Sequence, residues 1–457
     1  MKSYLAILKL VWPLALGMMN SAVMQFTDRA FLAHESMKSL EAVLPASSLA
    51  MVVISFFYAV VAYSGTFVAG YFGAKDRRMC VASCRAGVQL ALVAGLITLL
   101  TVPLGLALLS FASHAPDVLS RERLYYGIFS SGAVFLYLQM AVSSYFTGLG
   151  RTGTVLVANL IGVLANVFLD PILIFGFGGC PRLGISGAAL ASVLAMALQG
   201  LVLSLHARRE TAGVAALGWK DQVGLIRRIV RYGVPSGGYN VMSLLSFSVF
   251  VFMTGTVGDV ELAVSNTCLA VNYLLFAPVY GFSFGASTVV AQALGRKDFK
   301  GAKVAGTRTV VLGVVFIAFV SALMLAFNRP LLLLFAPDDP AQCERFLSLG
   351  FVLFVMMAAW QVFDATDIIL AGALKGAGDT RFVMLLMLVA SFAVWIPLAV
   401  LMRHFHNTLP ALWSTMLVYV AVLFVASLVR WRGNGCRFFT LRPSEFGKIP
   451  QSRQLGV

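Results

Sequence analysis

The sequence predicts an all-α integral membrane protein: twelve transmembrane helices in two six-helix lobes related by a pseudo-two-fold axis along the membrane normal. Three observations predict it. The chain of 457 residues is 60% hydrophobic and only 12% charged, with mean hydropathy +0.88, more apolar surface than a water-soluble core can hide. Runs of about 20 apolar residues, each long enough to cross a bilayer, recur along the whole chain. Finally, short motifs of the first half return in the second half in the same order.

Charged and turn-forming clusters bound the spans, which are expected in order at 5–33, 43–70, 82–111, 122–147, 154–178 and 184–207 in the first half. The second half supplies 225–255, 260–292, 304–327, 345–374, 380–402 and 408–430. This divides the chain into an amino-terminal lobe (1–207), a basic linker (208–224), a carboxyl-terminal lobe (225–430) and a tail (431–457). The opening apolar segment is too long for a cleavable leader and has no small-residue cleavage site, so the first helix is expected to stay.

The net charge of +15 in a soluble protein would suggest nucleic acid, but its distribution says otherwise. Of the 34 Lys and Arg residues, all but Arg29, Lys38, Arg121, Arg123, Arg182, Arg329, Arg345 and Arg403 fall on the side of the two termini. That asymmetry predicts cytoplasmic termini in a cell inner membrane, contact with membrane lipids and no nucleic-acid partner.

The repeat is explicit. "VWPLALG" around Pro13 returns as "YGVPSGG" around Pro235, and "GAKD" ending at Asp76 returns as "GRKD" ending at Asp298, both at a shift of 222 residues. "GLGRT" and "GAGDT" follow at a shift of 228, with Gly148 and Gly150 opposite Gly376 and Gly378. Each copy holds an even number of spans, so the copies share one orientation, and their interface is the expected place for a central cavity.

Acids inside lipid are costly and usually face a cavity or a partner. Asp28 lies in the first span, Asp170 in the fifth, and Asp364 with Asp367 in the tenth. Asn166 and Asp170 stand four apart and share a helical face, beside a carbonyl freed by Pro171. Solvated helix ends are the alternative for Asp28 and Asp170; for Asp364 and Asp367, candidate substrate-cavity acids, it is a polar helix interface. The five histidines read as solvated loop or span-end residues. The six cysteines show no metal-ligand spacing, and Cys180 and Cys343 fall on the same side. Met18, Met19, Met24 and Phe26 suit an adaptable apolar pocket, lipid contact being the competing role.

As a set, these motifs resemble the multidrug and toxic compound extrusion (MATE) family, specifically its DinF-like branch, over about residues 8 to 430. The resemblance implies a secondary active antiporter that exports lipophilic, often cationic small molecules in exchange for protons or sodium ions, with no cofactor, working as a monomer. It implies a cation or proton site at Asp28, Asn166, Asp170, Ala188 and Ser192, with sodium as an option at Asp28, Asn166 and Asp170. Two carboxylates buried together cannot both be charged cheaply, so they are expected to share protons or a cation. Pro13 matches the proline about which the family's first helix is thought to bend, and Asp364 resembles a tenth-helix acid of the NorM-like branch. Ser243 stands where that branch has a seventh-helix glutamate, and Arg29 departs from the family's small or polar residue. The alternatives are a flippase for lipids or lipid-linked oligosaccharides, which favours a strongly cationic cavity, and an intramembrane enzyme, for which no catalytic set appears at one depth.

Overall fold

The computed structural model describes residues 3–111, 114–255, 257–337, 339–406 and 408–433, and every regular element among them is helical. Among the described residues, twelve helices are long and apolar enough to cross a membrane. In the first half they are α1 (Tyr4–Glu35), α2 (Met37–Gly73), α3 (Arg77–Ser110), α4 (Pro116–Leu149), α5 (Thr152–Phe175) and α6 (Ile185–Thr211). The second half holds α7 (Trp219–Thr254), α8 (Val260–Gly295), α9 (Phe299–Ala326), α10 (Gln342–Gly376), α11 (Thr380–Phe405) and α12 (Leu409–Arg432). The all-α class and the count of twelve agree with the sequence. Most of the tail, residues 434–457 with Cys436, lies outside the described residues.

Most of these helices overrun the expected spans because their polar ends remain helical. Much of the supposed linker 208–224 is helix: α6 runs to Thr211 with Arg208 and Arg209 in its last turn, where cations complement the exposed carbonyls, and α7 begins at Trp219. Three arginines of α3 hold the short connection between them. Arg77, Arg78 and Arg85 donate to the carbonyls of Glu210, Ala216 and Val214.

The repeated motifs adopt repeated conformations. Lys75 and Lys297 both take the left-handed backbone conformation, at φ 60° and 62°, and the aspartate after each caps the next helix. Asp76 accepts from the Met79 amide at 3.1 Å and Asp298 from the Gly301 amide at 2.7 Å. Gly150 and Gly378 end their helices at φ 79° and 88°. After each, the fifth helix of the half is tied by an ion pair to the end of the sixth, with the polarity exchanged: Arg151 with Glu210, and Asp379 with Arg430 at 2.8 Å.

The halves meet through a reciprocal contact. Gly281 and Gly285 of α8 lie against Ala15 and Val11 of α1, while Gly233 and Gly237 of α7 lie against Val60 and Phe56 of α2. A shift of one half converts α1 on α8 into α7 on α2, so these are two copies of one contact. Small residues serve there because apolar side chains gain little from leaving lipid, and close backbone approach supplies the packing energy instead.

The second half is filled by aromatic side chains. Trp413 packs on Phe250 and Trp360 at ring-centre distances of 5.7 Å and 5.4 Å, and Trp395 and Trp413 are both buried. The cavity that holds the site is lined mostly by residues of the first half.

Candidate cation and substrate site

Three helices of the first half bring the site together. Gly17 on α1 faces the Asn159 side chain on α5, and Gly187 on α6 faces the Leu173 backbone on α5, so the three cross closely enough for short polar side chains to meet. The i,i+4 spacing then puts Asn166 and Asp170 on the inner face of α5, where both are fully buried. A solvated helix end for Asp170 is thereby replaced by an interior position. Ser192 on α6 donates to Asp28 Oδ2 across 3.1 Å, and Asn166 Nδ2 donates to Asp170 Oδ1 over a long 3.5 Å. Ala188 is buried one turn before Ser192. Pro13 sits inside α1, which is one uninterrupted helix over its 32 residues.

The site is rich in acceptors and poor in donors. Asp28 Oδ1, Asn166 Oδ1 and Asp170 Oδ2 are all buried without a hydrogen-bond partner. Three orphan oxygens converging from two helices are expensive unless a proton or a cation satisfies them. The donor set is all oxygen, which suits a proton or a hard cation.

Beside this cluster lies a cavity of about 350 Å³. Asp28, Arg29 and Ser192 line it, with Met18, Met24, Met51 and Met140, the aromatic rings of Tyr58, Tyr125 and Phe129, and the amides Gln25, Gln139 and Gln199. Phe284, Ser287 and Thr288 of α8 close one wall. The cavity therefore belongs mostly to the first half, whereas the sequence suggested the interface. The reciprocal glycine contacts draw the halves together, and tryptophans occupy much of the second.

Of the apolar residues expected at a pocket, Met18 and Met24 line the cavity, whereas Met19 and Phe26 face outward, 41% and 70% exposed. Asp364 and Asp367 do not line it. Asp364 accepts from the Trp360 indole at 3.4 Å and Asp367 from Ser427 at 2.6 Å. Lys375 from the same helix lies over the Tyr239 ring, 3.7 Å from its centre. Ser243, half-buried on α7, brings no carboxylate to that region.

Sequence reasoning missed several wall residues. Tyr125 is the most telling, since it is buried and lines the cavity with Asp28 and Arg29, yet "RLYYGIF" carries no sign of it. Two histidines are also not simply solvated. His114 pairs with the buried Glu122 at 2.7 Å, and His206 packs against Phe146. The five described cysteines, Cys180 and Cys343 among them, are free.

The chain matches a family model described as MatE over residues 13–172 and 235–401, two blocks that begin at Pro13 and Pro235. The chain belongs to the MatE family. Among its relatives is the probable multidrug resistance protein NorM of Pseudomonas aeruginosa, 29% identical over 408 residues, covering 87% of this chain and 82% of that protein. The NorM protein of Thermotoga maritima is 25% identical over 415 residues, covering 88% of each. Among solved structures, a multidrug resistance MATE family transporter in an outward-facing conformation superposes with a TM-score of 0.82 at 18% identity, over 97% of this chain and 96% of that one. This MatE protein is a multi-pass membrane protein and a multidrug efflux transporter, with small molecules as its substrates.

Proposed function

We propose that the transporter is a secondary antiporter driven by inward movement of protons or sodium ions, and that the coupling ion binds at Asp28, Asn166 and Asp170 with Ser192 as a further ligand. The observation that carries this reading is the set of three buried oxygens without donors, on Asp28, Asn166 and Asp170. A proton or a sodium ion would supply what they lack. The Ala188 carbonyl is the fifth oxygen of the sodium arrangement.

Binding of the ion rearranges α1 about Pro13 and narrows the adjacent cavity, so that a lipophilic, often cationic compound is displaced outward. The two lobes, 1–207 and 225–430, then rock about their glycine contacts and release the ion to the cytoplasm. A potential of 100 mV contributes about 2.3 kcal/mol per charge moved, close to a fifty-fold substrate gradient for one ion. The basic residues on the terminal side support an inner-membrane position with both termini in the cytoplasm. A monomer suffices, since each part of this cycle lies within one chain, and no catalytic step is assigned to the protein.

The test is efflux of a fluorescent cation from proteoliposomes under an imposed proton or sodium gradient. The parent is expected to respond to one of the two gradients, and Asp28→Asn and Asp170→Asn to lose that response. Undiminished gradient-driven efflux in both variants would overturn the site assignment. Scrambling of labelled lipid without drug movement would favour the flippase reading.

A further inference from the structure

Among the described residues lining the cavity, Asp28 and Arg29 are the two acidic or basic side chains, and they are presented differently. Asp28 has Oδ2 on Ser192 and Oδ1 buried, so its charge is directed into the α1, α5 and α6 cluster. Arg29, one residue on and about 100° around the helix, is exposed and lines the cavity. None of the ion pairs among the described residues involves it. Glu35, the next acid along α1, is engaged by Arg121 at 3.5 Å and Arg182 at 3.6 Å. Gln25, a turn below Arg29, donates to the Tyr273 hydroxyl at 2.7 Å. The free charge offered to a cavity occupant is therefore that of a guanidinium.

We infer that this cavity selects amphiphiles that carry a carboxylate, zwitterions included, and that Arg29 is the residue that recognises it. The inference rests on the efflux reading for the direction of transport, but the binding site stands on the cavity itself. A guanidinium matches a carboxylate with two parallel hydrogen bonds, and neither ion need then be desolvated alone. Methionines and aromatic rings around it accept an apolar body of variable shape. Lysine at this position would keep the charge and lose the planar fork.

The experiment uses the full chain in lipid nanodiscs and two probes that differ only in charge, an ω-dansylated octanoic acid and its methyl ester. Binding is followed by dansyl fluorescence. The parent is expected to prefer the acid. Arg29→Gln should weaken the acid by about tenfold or more and leave the ester within about twofold, and Arg29→Lys should fall between. An acid-to-ester ratio that Arg29→Gln leaves unchanged overturns the inference, as does failure of the parent to bind the acid. Loss of gradient-driven efflux in proteoliposomes with the binding ratio intact would instead count against the antiport reading alone.

Discussion

Ser192 and Asp28, 164 residues apart in the chain, are joined by a hydrogen bond of 3.1 Å that ties α6 to α1. The second oxygen of the same carboxyl group, Asp28 Oδ1, is buried without a partner. The site is thus held together by fewer donors than its oxygens require, and the proposed binding of a proton or cation rests on that shortage.

Asp170→Asn removes a buried carboxylate and adds an amide donor where donors are lacking. We expect its thermal midpoint to match or exceed the parent's while gradient-driven efflux falls at least about tenfold. Thermal unfolding in detergent, set beside proteoliposome transport, checks both halves of this statement. A variant that loses activity by unfolding would show a lowered midpoint instead.

Ser192→Ala deletes the hydroxyl that donates to Asp28 and leaves Oδ2 short of that partner. A loss of about 1 kcal/mol in coupling-ion binding is expected, read as a several-fold rise in the ion concentration that half-saturates transport. Ser192→Thr keeps the hydroxyl and should remain near the parent. Equal behaviour of the alanine and threonine variants would show that the hydroxyl contributes nothing.

Gly295 leaves no room for a side chain, because a Cβ there would strike the Gly70 carbonyl, and one at Gly73 would strike the Gln292 carbonyl. Gly295→Ala must separate α2 from α8 on the side of the termini. Thr66 and Ser287, now 3.2 Å apart between their hydroxyls, would part as well. A cysteine placed at Thr66 should then react with a water-soluble thiol reagent from that side in the Gly295→Ala background and not in the parent. Stability should fall by about 1–3 kcal/mol.

Arg430→Ala and Arg151→Ala should separate in their cost, although each breaks the repeat-related pair of its own half. Asp379 is almost wholly buried, at 7% side-chain exposure, whereas Glu210 retains 22%. Stranding Asp379 should cost about 2 kcal/mol or more and stranding Glu210 about 1 kcal/mol or less, measured as chemical unfolding in one detergent.

Much of this protein was legible in its residues because lipid imposes a strict code. Each span must satisfy its own backbone, so length and hydropathy reveal α1 to α12, and a repeated turn such as "GAKD" and "GRKD" announces itself by local chemistry at Asp76 and Asp298. Period alone set Asn166 and Asp170 on one face. The walls of the cavity were not legible. Tyr125, Gln139 and Gln199 are ordinary residues of apolar helices until their neighbours are known, and Met18 and Met19 differ only in which way the helix turns them.

By itself, then, the sequence determined the helical class, the number of spans, the duplication and the presence of acids such as Asp28 and Asp170 inside spans, since all of these depend on the composition and period of single helices. Only the tertiary structure decided that Asp28 turns toward Ser192 while Arg29 faces the cavity, and that the open volume lies in the first half with tryptophans packing the second. Those outcomes depend on which faces meet when helices cross. A crossing is set by small residues such as Gly17, Gly187 and Gly281 acting with partners far away in the chain, a relation that no local pattern contains.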